Sequence, residues 1–415
     1  MIMTNILFTI LYIAAFGSAA VLAVIRLAKG GADGPKAPIR LGLKTALLIM
    51  AVAAVSRLVL LALSYGAAHA SGFGSPFWET WSRWDALQYL RIVTQGYFDA
   101  QDGWIRIVFF PLYPAAVWLV RLVLPSEHIA ALLVSWLSLG GACVFLYKLT
   151  LLDADTRAAR RAVKYLLLFP VTVFLGAPFS ESIFLLLSFA CLYYARTGRF
   201  WTACALGGLA ALTRSTGVLL AVPVALEMLS AFGLVPKLMR QNAGDKLKRL
   251  MAHAPALLLI PLGTAAYLAM NHALTGDTLL FLRMQSEKWS QSLGSYANTL
   301  GVTFGELTRG SWELKDKLLL WGSQFAVLLI GGLSLPLMAK KLRLSYSVYA
   351  IVYLFVIFAP TWLLSGFRYY MGLAVLYPAL ALLTRRRWAD IALTAVFAVL
   401  APVYTYAFTL GWLVF

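Results

Sequence analysis

Asp85 sits in a run of unusual composition, Phe77-Trp-Glu-Thr-Trp-Ser-Arg-Trp-Asp-Ala-Leu-Gln-Tyr-Leu-Arg-Ile, with Trp78, Trp81 and Trp84 falling within seven residues. Two readings fit. Tryptophans at headgroup level form an aromatic belt at a membrane surface. Aromatic walls around a carboxylate instead raise its basicity by desolvation, and their faces stack on sugar rings. Other ionisable residues stand in apolar surroundings. Glu181 follows Pro178 at a predicted helix start, where the helix dipole alone favours an acid. Arg214 lies between two apolar stretches. An arginine at membrane depth marks a functional site or a paired charge, with Glu227 or a buried carbonyl as the plain partner. Arg368 opens an apolar stretch and can snorkel to the interface. Arg57 lies inside the second stretch and is expected to pair with an outer-loop acid or a carbonyl. His69, His128, His253 and His272 are scattered without metal-ligand spacing, so nothing here calls for a metal or another cofactor.

The elements that must position these residues are membrane helices. Of 415 residues, 61% are hydrophobic and 13% charged, against about 25% charged in a soluble domain. Several apolar runs reach about 20 residues, the helix length that crosses a bilayer. The alternation of a membrane β-barrel is absent, so these runs read as helices. The net charge of +18 sits in short clusters around 26–44, 148–164, 196–199, 237–249, 340–343 and 385–387. That is the pattern of cytoplasmic loops, not of a nucleic-acid-binding face. Cys143, Cys191 and Cys204 lie in apolar runs and read as small hydrophobes. The first run starts almost at Met1 without a basic leader or cleavage site, and reads as a retained helix.

If every basic cluster faces the cytoplasm, the spans between clusters come in pairs. Spans near 44–65 and 128–148 satisfy this. The stretch 107–124, carrying Pro111, Pro114 and Arg121, is then predicted to lie along the outer face. Further spans are expected near 162–177, 182–195, 254–271, 318–338, 345–363, 368–383 and 388–411. Residues 200–213 and 215–229 form a V with Arg214 at its tip. The expectation is one all-α polytopic domain over 1–415 with about 11–12 transmembrane helices. It comprises two N-terminal spans in 1–65, an outer loop 66–127, core spans in 128–271, a second outer loop 272–317, and C-terminal spans in 318–415. Most of the 17 acidic residues, Glu79, Asp85, Asp99, Asp102 and Glu181 among them, fall outside in this topology.

Several spaced motifs between about 75 and 380 together resemble the PIG-V-like mannosyltransferases. They begin with Ser82-Arg-Trp-Asp-Ala-Leu-Gln-Tyr-Leu, then Gly96-Tyr97, then Phe109-Phe-Pro-Leu-Tyr-Pro. Phe169-Pro170, Phe179-Ser-Glu-Ser and Leu212-Thr-Arg-Ser-Thr-Gly follow, then Gly276-Asp277 with Gln285 and Trp289, then Arg368-Tyr369 and Pro378. That family adds the second mannose to glycosylphosphatidylinositol in eukaryotes and has bacterial members. The family's usual histidine after Trp-Asp-Ala is Gln88 here, so any role of an imidazole at that place does not carry over.

The resemblance implies the GT-C membrane glycosyltransferase fold and an inverting transfer of a hexose, mannose above all. The donor would be a polyprenyl-phosphate sugar of the dolichyl-phosphate-mannose kind, and the acceptor a lipid or glycan at the non-cytoplasmic face. It assigns Asp85 and Glu181 as catalytic carboxylates, with Asp85 the general base for the acceptor hydroxyl. It assigns Arg83, Trp84, Gln88, Tyr89, Arg214, Gln285, Trp289, Arg368 and Tyr369 to substrate, the two arginines Arg214 and Arg368 to the donor phosphate. The compact loops suggest a bacterial cytoplasmic membrane with the site facing outward. Two rivals differ in class. A secondary transporter would show matching repeats in its two halves, which this chain lacks. A non-catalytic assembly protein would leave the outward bias of acids beside tryptophans unexplained.

Overall fold

A computed structural model describes residues 2–28, 34–101, 103–233, 243–363 and 365–414. Lys29, Lys237 and Arg240 of the basic clusters, and Asp102, which the expected topology puts outside, lie outside the described residues. Among the described residues there is no strand beyond two isolated bridges, Asp99 with Gly103 and Leu293 with Pro360.

The helices follow the apolar runs. α1 (Ile2–Ala28) and α2 (Leu43–Ala70) come first, and α3 (Asp85–Gln95) and α4 (Leu112–Arg121) lie in the connection that follows. The central helices are α5 (Glu127–Leu151), α6 (Thr156–Leu167), α7 (Glu181–Arg196), α8 (Phe200–Ala211), α9 (Ala221–Ala231), α10 (Ala243–His253) and α11 (Leu259–Thr275). The second loop holds α12 (Leu280–Trp289) and α13 (Tyr296–Arg309). α14 (Leu314–Asp316), a π turn and α15 (Ser323–Lys341) then run on as one rod, followed by α16 (Leu344–Ile357), α17 (Gly366–Met371), α18 (Leu376–Leu383) and α19 (Arg387–Thr409).

Six stretches are long and apolar enough to cross a membrane: Ile6–Ala28, Leu43–Ala70, Glu127–Leu151, Gly244–Thr275, Leu314–Lys341 and Arg387–Thr409. The protein is a multi-pass integral membrane protein. The other expected crossings are shorter or broken. The expected span 162–177 is not one helix: α6 stops at Leu167, because Pro170 has no amide hydrogen and pushes its predecessor Phe169 out of the helical region. The expected span 368–383 is likewise split into α17 and α18 around Gly372. The V over 200–229 is α8, a 3-10 turn at Ser215–Leu220 and α9, with Arg214 in extended backbone between them. α4 has ten residues, too few to cross, and packs on α3 and α5. Broken helices are tolerated at membrane depth only where protein covers them, and Phe169, Val171, Phe174 and Leu175 are all buried.

The core is the stack α2–α5–α7–α8–α11, with α9 and α16 joining α7 to the α1–α15 pair. Close approach at α8–α11 depends on glycine. A Cβ on Gly263 would collide with the Gly208 carbonyl oxygen, and one on Gly208 with the Leu259 carbonyl oxygen. Small residues let helices meet where lipid offers no hydrophobic drive. Arg57, fully buried on α2, donates to the carbonyl oxygens of Thr172 (2.6 Å) and Leu167 (2.9 Å). It thereby closes the backbone that the Pro170 break leaves open. Valine at Gly263 should lower stability in detergent by about 1–3 kcal/mol, the usual cost of overpacking. Gly17→Val, at a position with open space around it, should leave the unfolding midpoint in place.

Candidate functional site

The site begins with a strained residue. Trp84 takes φ 52° and ψ −125°, a backbone region that costs a side chain about 1–3 kcal/mol and persists only where neighbours enforce it. Those neighbours are identifiable. Trp81 is fully buried, donates its indole N–H to Ser64 Oγ (2.9 Å), and fills the space left by Gly176. Ser82 Oγ lies 2.8 Å from His128 Nδ1 on α5. Trp81 is thus an anchor, not a member of an aromatic belt. The turn it fixes starts α3 at Asp85, placing that carboxylate at the positive end of the helix.

Below Asp85 lies a buried charge cluster. Glu181, 1% exposed, opens α7. Its Oε1 accepts from Arg214 Nη1 (2.7 Å) and from Arg368 Nε (3.0 Å) and Nη2 (2.9 Å). The Arg368 Nη1 group continues to Asp85 Oδ2 at 2.9 Å. Arg368 is also flanked by the Phe174 and Phe179 rings, 4.8 and 4.7 Å from their centroids, where each ring face attracts the cation. Arg214 lies 5.8 Å from the centre of the Tyr369 ring. Two arginines, two acids and two phenylalanines from four separate segments therefore form one connected unit. The pairing of Arg214 with Glu227 considered from the sequence does not occur: Glu227 accepts from Arg343 instead (2.8 Å). Arg368 is buried and does not snorkel.

A cavity of about 560 Å³ opens over this unit. Its wall includes Trp84, Asp85, Gln88, Tyr89, Arg214, Gln285, Trp289, Arg368 and Tyr369. Glu181 is not on the wall but lies beneath the arginines. Arg83 is not on the wall either, and its guanidinium sits 6.0 Å from the Phe73 ring centre.

The motifs noted above interlock around this cavity. Gly96 takes φ 82°, which glycine tolerates, and turns the chain so that the Tyr97 hydroxyl donates to the Phe109 carbonyl (3.1 Å). The Leu112 amide donates to the Leu212 carbonyl (3.1 Å), tying the Phe-Phe-Pro segment to the turn that carries Arg214. The Tyr89 hydroxyl donates to Ser180 Oγ (3.1 Å), and burial pushes this phenol well above its usual range, so it stays a donor. The Trp362 indole donates to the Trp289 carbonyl (3.0 Å), fixing the end of α12 against the chain just before Arg368.

Sequence reasoning passed over three features. Ser180 touches both Tyr89 and Arg214, and its position beside Glu181 was a usable signal. Arg106, 1% exposed, reaches Gln88 Oε1 (3.4 Å), Gln95 Oε1 (3.0 Å) and Asp99, which pins the loop behind the Gln88 wall. Only the chain path brings these together. An Asp-x-Asp spacing does exist, Asp153-Ala-Asp155, but it lies away from this cavity: Asp153 pairs with Arg196, and Asp155 caps α6 through the Ala158 amide.

Residues 50–272, more than half of the chain, match the family model described as Mannosyltransferase (PIG-V). The chain belongs to this mannosyltransferase family. The family segment includes Asp85, Gln88, Tyr89, Glu181 and Arg214, while Gln285, Trp289 and Arg368 lie beyond it. The chain is similar to the rat (Rattus norvegicus) GPI alpha-1,6-mannosyltransferase 2, with 33% identity over 148 residues, covering 33% of this chain and 29% of the relative. The Cricetulus griseus protein of the same name is 32% identical over the same length and shares. The aligned part is thus less than a third of these relatives. Among solved structures, ArnT from Cupriavidus metallidurans bound to undecaprenyl phosphate aligns with TM-score 0.48 and 15% identity, over 90% of this chain and 77% of that one. The archaeal oligosaccharyltransferase AglB from Archaeoglobus fulgidus aligns with TM-score 0.43 and 14% identity, over 88% and 55%.

The burial of Glu181 generates a contrast within this cluster. Glu181→Ala leaves two guanidiniums without their shared acid and should cost about 3–5 kcal/mol. Asp85→Asn removes an ion pair whose carboxylate side chain is 34% exposed and should cost no more than about 1 kcal/mol. Thermal unfolding of both variants in one detergent checks the order.

Proposed function

We propose that this protein transfers mannose from a polyprenyl-phosphate sugar to a hydroxyl of a lipid or glycan acceptor, by an inverting GT-C mechanism at the non-cytoplasmic face. The observation that carries the reading is the Asp85 carboxylate on the cavity wall beside Arg368 and Arg214, in a chain of a mannosyltransferase family. Asp85 takes the proton of the acceptor hydroxyl as that oxygen bonds to the anomeric carbon from the face opposite the phosphate. The bond from the anomeric carbon to the phosphate oxygen breaks, and the polyprenyl phosphate leaves with the electron pair. Guanidiniums grip phosphate in a two-pronged fashion, so Arg214 and Arg368 stabilise the charge that develops on the leaving group.

The roles of the two acids differ in this reading. Glu181 is beneath the wall and touches arginines rather than substrate, so it is a positioning residue. Asp85 is the base. It shares Arg368 with Glu181, so the arginine that faces the donor phosphate also holds the base in place. Gln88, Tyr89, Trp84, Trp289 and Gln285 surround the sugar with one apolar and several hydrogen-bonding faces. Arg83 has no part in substrate contact here.

The outward placement of the site rests on the basic clusters at the other ends of the helices. The relatives named above are mammalian, and they lend no support to a bacterial cytoplasmic membrane.

The test is transfer of labelled mannose from synthetic polyprenyl-phosphate mannose by purified protein with a lipid acceptor pool. Wild type should move label, and Asp85→Asn should be slower by about 10²–10⁴-fold, the usual range for losing a general base. Full transfer by a folded Asp85→Asn protein would remove the base from this scheme. Absence of transfer by wild type from any mannosyl or other hexosyl lipid phosphate would remove the scheme itself.

A further inference from the structure

The opposite end of the bundle carries a second polar network. α7 runs from Glu181 to Arg196, and α5 from the neighbourhood of Ser82 to Thr150, so both helices connect the Asp85 cavity to this far end. There Arg196, fully buried, pairs with Asp153 and lies 3.8 Å from Glu227. Arg343 donates to Glu227 (2.8 Å) and lies 3.7 Å from Asp153. Each of these two carboxylates is therefore already met by two guanidiniums.

A cavity of about 590 Å³ adjoins this network, lined by Arg26, Lys340, Lys341, Arg343, Arg385 and Tyr346 with Asp153 as the one acid on its wall. Two of the five cations have partners in the fold: Arg26 donates to the carbonyl oxygens of Lys340 and Leu342, and Arg343 holds Glu227. Lys340, Lys341 and Arg385 are exposed and have no side-chain partner among the described residues. Lys340 and Lys341 end α15 and Arg385 lies in the connection before α19, yet all three line one space. The Tyr346 hydroxyl gives a second, independent sign. Tyr346 is 3% exposed and lines the cavity, and its hydroxyl has no hydrogen-bond partner among the described residues. Buried hydroxyls without partners are rare, and this one lies on the cavity wall beside the paired Arg196, Asp153, Glu227 and Arg343.

We infer that this far-end cavity binds a phosphate group. An anion between Lys340, Lys341 and Arg385 relieves their mutual repulsion, and its oxygens accept from three cationic donors and from the Tyr346 hydroxyl. The cavity lies at the basic ends of the helices, so the phosphate arrives either on the headgroup of an anionic lipid or as a free ion or soluble ester.

The experiment uses the full chain in phosphatidylcholine nanodiscs. Two probes are titrated, phosphatidylglycerol in the bilayer and inorganic phosphate in solution, with the thermal unfolding midpoint as readout. The midpoint should rise in a saturable way with at least one probe. A response to phosphatidylglycerol alone identifies a lipid headgroup, and a response to both identifies the phosphate group as such. Lys341→Gln combined with Arg385→Gln should weaken the apparent affinity about tenfold or more, as expected for lost charged hydrogen bonds. Tyr346→Phe removes one oxygen and should weaken it severalfold while leaving the midpoint without ligand unchanged. Arg157→Gln with Arg160→Gln, an equal loss of charge on exposed α6 residues, should leave binding intact. The inference fails if neither probe shifts the midpoint, if Tyr346→Phe binds as wild type does, or if the α6 pair weakens binding as much as the cavity pair.

Discussion

Taking a carboxylate out of water costs several kcal/mol unless cations meet it, and Glu181 is met by two. Arg214 arrives from the turn between α8 and α9, and Arg368 from α17, near the end of the chain. Neither arginine could be buried among apolar helices without this acid. The acid in turn could not sit at the start of α7, covered on all sides, without them. The cluster therefore ties three distant parts of the sequence to one point, and Asp85 is tied to the same point through the far side of Arg368. The geometry of the cavity wall follows from that knot.

The knot also explains why the surrounding helices are broken where they are. A continuous helix through 162–177 would leave no gap for Trp81, whose ring lies against Gly176, and no free carbonyls for Arg57. A continuous helix through 368–383 would carry Arg368 in a regular span. In α17 it is instead held between Phe174 and Phe179. The turn after α8 sets Arg214 in extended backbone, and Gly217 packs so closely against Ala210 that a Cβ there would strike the helix backbone. Each break exposes peptide groups, and each is lined by buried side chains that cover them. The polar knot and the irregular backbone are two aspects of one arrangement, since hydrocarbon would tolerate neither alone.

Much of this was legible from residue types. Apolar length marked the six long helices, and the prolines of 107–124 marked a stretch that holds only the ten-residue α4. The motif residues Asp85, Gln88, Tyr89, Arg214, Gln285, Trp289, Arg368 and Tyr369 do line one cavity. What the sequence hid was relation rather than identity. Nothing in the string says that Glu181 faces arginines instead of the cavity, or that Arg83 turns to Phe73. The belt reading failed for Trp81 because composition cannot tell an interfacial tryptophan from one that plugs a glycine gap. The strained backbone of Trp84 has no sequence signal, because it is imposed by contacts on both sides. Helix breaks at Phe169–Pro170 were visible as proline, yet hydropathy averaged across them and merged two pieces into one span.

Helix length sets the depth of the site. α7 has 16 residues between Glu181 and Arg196, which gives about 24 Å along its axis, whereas the hydrocarbon core of a bilayer is about 30 Å thick. If Arg196, with its basic neighbours, stands at one surface, Glu181 and its arginines stand some way below the other. α8, which climbs from Arg199 to the Arg214 turn in 12 residues, leads to the same conclusion independently. A phosphate bound to Arg214 and Arg368 would thus be drawn down from headgroup level into a recess walled by protein. In such a recess a charged group is lost from water, and the fixed guanidiniums replace that hydration at far higher local strength than they would have at a surface. The short, irregular helices that defeated a simple count of spans are what make this recess possible.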